Sequence, residues 1–221
     1  IFVNSPGNPT GWMMESDQQK VILDFCRARG IWIVADEVYG RLVYDRRVAP
    51  SFLEIAEPDD PIVVVNSFSK SWAMTGWRMG WLTHPVRLTE KIGDVVEYNT
   101  SGTPEFLQEA GIVAVRHGED TVAAMVERCR AGRDTASQRL SAMPRVIYSP
   151  PAAAFYAFFK VDGMENSLDF AKRLATEFKV GVAPGTAFGP SGEGWLRLCF
   201  AQSPERIDEA MSRLERALAE A

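Results

Sequence analysis

Three polar stretches, each directly after an apolar run, contain the side chains best suited to chemistry. The first, 4–11, carries asparagines, the second, 36–39, carries an aspartate and a tyrosine, and the third, 67–70, ends at Lys70. A lysine at the end of a buried strand is partly removed from water, which favours the neutral, nucleophilic amine. Together with the Asp, Tyr, Asn, Ser and Arg side chains in and just after these stretches, such an amine suits a phosphorylated aldehyde better than a peptide or a sugar.

The apolar runs before these stretches predict strands of a parallel sheet. The runs 1–3, 31–35 and 62–65 are rich in β-branched residues without polar alternation, which is typical of strands buried on both faces. A helix from Ser16, its expected N-cap, to Gly30, its expected C-terminal glycine, joins the first two strands as a right-handed βαβ unit. The expected buried face of this helix consists of Val21, Ile22, Phe25 and Cys26. Because ligands bind at the carboxyl ends of parallel strands, we expect the three polar stretches to meet at one edge of the sheet.

The remainder of the chain predicts further helices and a second group of strands. Met79 begins a strand, and helices follow from Pro85, from Pro104 and over 119–142, where Gly132 is expected to interrupt the helix. Later strands are expected at 145–148, 155–161 and 195–200, and later helices at 168–178 and after Ser203. The apolar stripe of the last helix consists of Ile207, Met211, Leu214 and Leu218. These patterns predict an α/β domain with a mostly parallel sheet over 1–125, followed by a smaller α+β domain over 126–221.

The composition is ordinary for a soluble globular enzyme. Of 221 residues, 46% are hydrophobic and 24% are charged, and the net charge of −5 gives no electrostatic reason to expect nucleic acid or an anionic membrane as a partner. No apolar run approaches the roughly 20 residues of a membrane-spanning helix. We expect Cys26, Cys129 and Cys199 to be buried free thiols in a reducing compartment, and the two histidines lack the spacing of metal ligands, so no metal site is predicted.

Four motifs resemble those of the class I/II aminotransferases, which are pyridoxal 5'-phosphate (PLP) enzymes of PLP fold type I. They are Asn8-Pro9-Thr10-Gly11, Asp36-Glu37-Val38-Tyr39, Ser67-Phe68-Ser69-Lys70 and Gly76-Trp77-Arg78-Met79-Gly80. The resemblance runs from end to end of the chain but matches only the C-terminal portion of the family's fold. It implies an incomplete PLP fold type I large domain followed by the small C-terminal domain.

The resemblance implies a role for each residue that would contact the cofactor ring. Lys70 would carry PLP through a Schiff base and later move the proton. Asp36 would pair with the pyridinium nitrogen, where a carboxylate keeps that nitrogen protonated. Asn8 and Tyr39 would donate hydrogen bonds to the phenolic oxygen.

The resemblance also implies ligands for the phosphate and for the substrate. Ser67 and Arg78 resemble phosphate ligands, and an arginine offers a two-pronged set of donors to a dianion. Ser69 would bind the cofactor or position its loop. Arg197 and Asn8 would bind the substrate, with Arg197 on its α-carboxylate. For Arg197 alone, an internal ion pair with an Asp or Glu is the alternative interpretation.

The implied function is transfer of an amino group between an amino acid and a 2-oxo acid by a cytoplasmic homodimer. Two alternatives use the same residues. One is a PLP-dependent C–S lyase or related eliminating enzyme, and the other is the aminotransferase-like sensor domain of a transcription regulator.

The chain departs from the family's pattern in two places. The chain begins at Ile1, so we interpret it as a fragment that lacks the phosphate-binding glycine loop, the ring-stacking aromatic residue and the residues shared between subunits. We therefore expect this chain alone to bind PLP weakly and to turn over poorly. In the stretch 151–156, the family often has glycine at the position of Ala153, where a methyl group is tolerated unless the backbone needs a positive φ.

Overall fold

The computed structural model describes residues 1–220, which separate into two compact units. The first unit contains residues 1–6 and 13–126, and the second contains 7–12 and 127–220. The sequence-based boundary after residue 125 lies one residue before this division. The segment 7–12, which the sequence assigned to the first domain, groups with the second unit.

The first unit is built on a four-stranded sheet in the order β1-β2-β3-β4. Its strands are β1 (Phe2–Asn4), β2 (Ile33–Asp36), β3 (Ile62–Ser67) and β4 (Gly80–Thr83). The first three strands are parallel, and β4 returns antiparallel to β3. The parallel α/β sheet expected from the unbroken apolar runs is confirmed, and their inward residues, such as Ile33 and Val64, are fully buried.

Helix α1 (Ser16–Arg29) joins β1 to β2, but its N-cap and its buried face differ from expectation. The N-cap is Glu15, whose backbone N–H donates to Gln18 Oε1 at 3.0 Å, whereas Gly30 ends the helix in the left-handed conformation as expected. Leu23 and Cys26 are buried together with the polar Gln19. The expected buried positions Val21 and Phe25 are 70% and 44% exposed, because residues 19, 23 and 26 define the inward stripe of this helix.

The other helices of the first unit follow β3 and β4. They are α2 (Phe68–Ser71), α3 (Thr89–Thr100), α4 (Glu105–His117) and the start of α5 (Glu119–Ala142). The residues after Pro85 form one 3-10 turn before α3 begins. The 3-10 turn and α3 together cover the helix expected from Pro85, and α4 begins directly after Pro104 as expected.

The second unit contains an antiparallel sheet in the order β5-β6-β8-β7. Its strands are β5 (Val146–Tyr148), β6 (Tyr156–Val161), β7 (Ala183–Pro184) and β8 (Trp195–Cys199), and its later helices are α6 (Ser167–Thr176) and α7 (Pro204–Ala219). The two-residue β7 was not predicted. The apolar stripe predicted for α7 is confirmed, since all four of its residues are buried.

Gly132 does not interrupt α5, which is continuous over 24 residues. A Cβ atom at this position would lie 2.1 Å from the carbonyl oxygen of Phe200. Glycine is therefore present because the chain after β8 passes close to the helix backbone, and not because the helix breaks there.

The cysteine expectation is correct for two of three residues. Cys26 and Cys129 are buried and Cys199 is exposed, and all three are free. On β8, Leu198 and the following Phe200 face the core, so Cys199 must point to the opposite, open side of the strand. Burial raises the pKa of the Cys129 thiol to about 12.

Residues 1–220 contain neither a membrane-spanning helix nor a cluster of metal ligands. No helix in this part of the chain is long and apolar enough to cross a membrane. Over the same residues, no group of three or more His, Cys, Asp or Glu side chains is arranged to hold a metal ion.

The Gly132 contact predicts opposite effects for two glycine-to-alanine changes in helices. Gly132→Ala should lower the free energy of unfolding by about 1–3 kcal/mol, because the methyl group overlaps a backbone oxygen. Gly93→Ala in α3 meets no atom within 4 Å and should raise it by about 0.5–1 kcal/mol. Urea unfolding followed by circular dichroism measures both, and equal effects of the two changes would contradict the contact.

The cysteine environments predict selective labelling. At pH 8 an aromatic disulfide reagent should react with one thiol per native chain, because Cys199 is exposed while the pKa of Cys129 is about 12. Cys199→Ser should abolish this fast phase, and Cys129→Ser should leave it unchanged. Rapid labelling of all three thiols in the folded chain would show that the burial is wrong.

Candidate active site

The carboxyl ends of β1, β2 and β3 lie side by side in the first unit. Asn4 pairs in register with Asp36, and Asp36 pairs with Val65. Beyond the strand ends, Ser5 N donates to Asp36 O at 3.1 Å, and Glu37 N donates to Val65 O at 3.0 Å. The polar residues that follow these strands therefore begin at the same edge of the sheet.

The residues after β2 form a tight turn that carries two of the predicted site residues. The N–H of Gly40 donates to the carbonyl oxygen of Glu37 at 2.8 Å and closes the turn. Asp36 is half-buried, and its Oδ1 accepts a hydrogen bond from Val38 N at 3.3 Å. Tyr39 is buried, with 3% of its surface exposed. The backbone positions of Asp36 and Tyr39 are thus defined by the end of β2 and by this turn.

Lys70 lies on the short helix α2, directly after β3. Ser67 caps this helix, because its Oγ accepts a hydrogen bond from Ser69 N at 3.0 Å and donates to Met79 O at 3.2 Å. Lys70 is half-buried, and its Nζ lies 5.9 Å from the centroid of the Tyr39 ring. This contact brings the lysine of one polar stretch to the tyrosine of another.

A cluster of aromatic rings supports the α2 segment. The ring of Phe68 lies 5.2 Å from that of Trp72 and 5.0 Å from that of Trp81. The indole N–H of Trp72 also donates to Ala114 O in α4 at 3.0 Å. Aromatic pairs at these separations each contribute about 0.5–1.5 kcal/mol beyond burial. These contacts of Phe68 and Trp72 therefore fix the segment that carries Lys70.

Arg78 follows α2 on the loop that leads into β4. It adopts a left-handed backbone conformation with φ 53, and its exposed side chain donates to Thr75 O at 2.9 Å. Gly80 pairs with Ser67 at the start of β4, which ties this loop to the cap of α2. Within residues 1–220, however, no other predicted site residue is a hydrogen-bond partner of the Arg78 guanidinium.

Asn8 and Arg197 lie together in the second unit. Arg197 donates from a terminal guanidinium nitrogen to Asn8 Oδ1 at 2.7 Å. Its Cζ lies 4.3 Å from the ring centroid of Tyr156 and 4.7 Å from that of Phe188. Arg197 is on the open side of β8, between the buried Leu196 and Leu198, as the alternation of the strand predicted.

The charge of Arg197 is not neutralised by a carboxylate in residues 1–220. None of the ion pairs in this part of the chain includes it, and its buried Nε has no hydrogen-bond partner there. The alternative of an internal ion pair therefore finds no support. Aromatic faces and an amide oxygen orient this guanidinium while leaving its charge available to an anion.

The Ala153 expectation concerns the stretch that contacts the Asn8 segment. Ala153 N donates to Gly11 O at 3.1 Å, and a Cβ on Gly11 would lie 2.5 Å from Ala153 O. The residue with positive φ is Ala154, at 61°, and not Ala153. The methyl group of Ala153 is therefore accommodated, and the strained position is one residue later.

Glu37 was part of a quoted motif, but sequence reasoning gave it no role. It is 7% exposed, and its two carboxylate oxygens accept hydrogen bonds from Ser51 Oγ at 2.6 Å and from Phe52 N at 3.0 Å. Burial raises the pKa of this carboxyl above its usual range, and these hydrogen bonds oppose that shift. The sequence held one signal for the burial of Glu37. Adjacent side chains of an extended segment point to opposite faces, so the residue next to Asp36 points away from the Asp36 side chain.

Comparison with known proteins places these residues in a family. The chain matches the family model described as aminotransferase class I and II over residues 1–214. It is 36% identical over 221 residues to the aspartate aminotransferase of Pyrococcus horikoshii, covering 99% of this chain and 56% of that protein. It is 35% identical over 225 residues to aromatic-amino-acid aminotransferase 2 of Thermococcus litoralis, covering 100% of this chain and 57% of that protein.

Solved structures give the same result. The aromatic aminotransferase of Pyrococcus horikoshii superposes with a TM-score of 0.91 at 33% identity, over 99% of this chain and 59% of that one. The aspartate aminotransferase of Thermotoga maritima superposes with a TM-score of 0.88 at 35% identity, over 99% of this chain and 56% of that one. The chain spans about half the length of the curated relatives it matches. With its motifs, its fold and a family match over nearly its whole length, the chain belongs to the class I and II aminotransferases.

Proposed function

We propose that the complete protein uses PLP to transfer an amino group between an amino acid and a 2-oxo acid. One observation carries the proposal: the Lys70 amine lies 5.9 Å from the Tyr39 ring, at the sheet edge where Asp36 ends β2. A primary amine, a carboxylate and a phenol at one edge of the sheet match the three groups that would bind the aldehyde, the ring nitrogen and the phenolic oxygen of PLP.

The first unit's donors fit the cofactor chemically. Lys70 would hold the aldehyde carbon covalently, Asp36 would face the ring nitrogen, and Tyr39 would donate to the phenolic oxygen. Ser67, Ser69 and Arg78 would bind the phosphate, for which the Ser67 hydroxyl would exchange its hydrogen bond to Met79 O. When bound, PLP supplies a ring that accepts the electron pair left by the departing Cα proton.

The residues of the chain would then act in two ways. Asp36 would hold a proton on the ring nitrogen through a charge-assisted hydrogen bond, which contributes roughly 1.5–3 kcal/mol. The Lys70 amine would take up the proton that leaves the substrate Cα and release it again during the reaction. Water would release the first substrate as its 2-oxo acid, and the second 2-oxo acid would leave with the amino group.

Arg197 would bind the α-carboxylate of both substrates. Its guanidinium has no carboxylate partner in residues 1–220, and Asn8 and two aromatic rings fix its orientation. Prepositioned donors lower the entropy that a substrate loses on binding. The proposal includes a homodimer as the state of the complete protein.

A product assay on the complete protein tests the reaction type. Transamination requires a 2-oxo acid acceptor and converts it to an amino acid. Release of pyruvate and ammonia without an acceptor would instead identify an eliminating enzyme, and binding of PLP without turnover of any amino acid would favour a sensor.

Lys70 should be the residue that PLP modifies. After incubation with millimolar PLP and reduction with borohydride, peptide mass spectrometry should locate the pyridoxyl group on Lys70, because this amine lies near the Tyr39 ring at the sheet edge where Asp36 ends β2. Lys70→Ala should remove the modification, and Lys91→Ala, which alters an exposed lysine of α3, should leave it unchanged. Equal modification of the wild type and Lys70→Ala would refute the assignment.

Arg197 should bind simple carboxylates. Titration with a 2-oxo acid, followed through the NMR signal of the Trp195 indole N–H on the same strand, should show saturable binding. Arg197→Leu should weaken it by roughly tenfold or more, because a charge-assisted bond is lost. Arg206→Leu, in the same unit and exposed, is the matched control. An affinity that Arg197→Leu leaves intact would exclude the role.

A further inference from the structure

We infer that Glu37 is a positioning residue whose buried side chain holds the turn that carries Asp36 and Tyr39. This inference rests on the proposed cofactor role of that turn. Glu37 itself would touch neither the cofactor nor the substrate, and it would act through its two neighbours.

The Glu37 residue is bonded through both its backbone and its side chain. Its N–H donates to Val65 O of β3 at 3.0 Å, and its carbonyl oxygen accepts from Gly40 N at 2.8 Å. Its carboxylate accepts from Ser51 Oγ and from Phe52 N. Four hydrogen bonds therefore fix the residue between Asp36 and the turn that contains Tyr39.

The segment that holds the Glu37 carboxylate is itself anchored. Phe52 is 1% exposed and belongs to the hydrophobic core of the unit. The buried Gln19 of α1 donates from Nε2 to Pro50 O at 3.0 Å, and Ala49 N donates to Gly40 O at 2.8 Å. The carboxylate thus connects the turn to a fixed part of the fold and not to a free loop.

Packing alone does not fix this turn. A cavity of about 220 Å³ adjoins it, and residues of both the turn and the α2 segment line this space. They include Glu37, Val38, Ser67 and Ser71. On the side of this space the turn has few packing contacts, so its hydrogen bonds contribute to where it lies.

Burying the Glu37 carboxylate costs desolvation free energy. A side chain that only filled this space would not incur that cost. Desolvation disfavours the charged form of Glu37, and Asp36 and Glu54 add like charge nearby. An apolar side chain would fill the same volume without that cost but would give up both acceptors. The arrangement therefore favours the position of the turn over stability.

Three substitutions separate positioning from bulk. Glu37→Leu removes both acceptors at similar volume. Glu37→Gln keeps them in changed form, since its Oε1 can accept from Phe52 N while its Nε2 donates to Ser51 Oγ. Ser51→Ala removes one donor and leaves Glu37 in place. Glu57→Leu removes an exposed carboxylate of the same loop region and is the matched control.

Each variant is incubated with PLP and assayed for the lysine-bound cofactor by its absorption band and by borohydride trapping at Lys70. We expect Glu37→Leu to weaken apparent PLP binding by roughly tenfold or more and to shift the band, because Asp36 and Tyr39 move relative to Lys70. Ser51→Ala should have a smaller effect in the same direction. Glu37→Gln should keep the wild-type band, and Glu57→Leu should match the wild type throughout.

The outcomes distinguish this inference from the proposed function. If the wild type forms no adduct at Lys70, the cofactor role fails and the inference fails with it. If the wild type forms the adduct and a folded Glu37→Leu matches it in affinity and in band position, only the inference is overturned. Should Glu37→Leu not fold, Ser51→Ala decides, and a wild-type affinity and band in that variant would overturn the role of Glu37.

Discussion

Parallel pairing of β1, β2 and β3 is the constraint on which the candidate cofactor site depends. The carboxyl ends of neighbouring parallel strands point to the same edge of the sheet. The polar residues that follow Asn4, Asp36 and Ser67 therefore lie along one edge. The antiparallel β4 brings Gly80 back beside Ser67 and so returns the Arg78 loop to that edge. Without this pairing, the polar stretches that contain Asp36 and Lys70 would not begin at the same edge of the sheet.

Two kinds of interaction then refine the positions that the sheet sets. Next to Lys70 in the chain, the ring of Phe68 packs against those of Trp72 and Trp81 and stabilises the segment that carries the lysine. Behind Asp36, a buried carboxylate and its donors fix the turn beside a cavity that packing does not fill. Apolar contacts thus support one side of the site, and hydrogen bonds support the other.

Local patterns predicted the parts of the fold that depend on local physics. Unbroken β-branched runs identified the parallel strands, strand alternation gave the open side for Arg197, and periodicity gave the buried stripe of α7. The site residues could be named because their motifs are short and specific. Their roles stay predictions.

The remaining features depend on contacts between residues far apart in sequence. Gln19 lies on the buried face of α1 because its side-chain amide donates a hydrogen bond to Pro50 O. This orientation of the helix places Val21 on the exposed face. Position 132 is a glycine within a continuous helix because the backbone of Phe200 passes close to it. The grouping of Asn8 with Arg197, and the anchoring of Glu37 by Ser51, likewise need partners that no local pattern reveals.

The central claim is that one sheet edge brings the Lys70 amine and the Asp36 carboxylate to the same cofactor ring. A crystal structure of the chain after incubation with PLP and borohydride reduction tests this most directly. The account predicts continuous density from Lys70 Nζ to the cofactor, with an Asp36 oxygen within hydrogen-bond distance of the ring nitrogen. Density on a different lysine, or a ring nitrogen that faces away from Asp36, would contradict it.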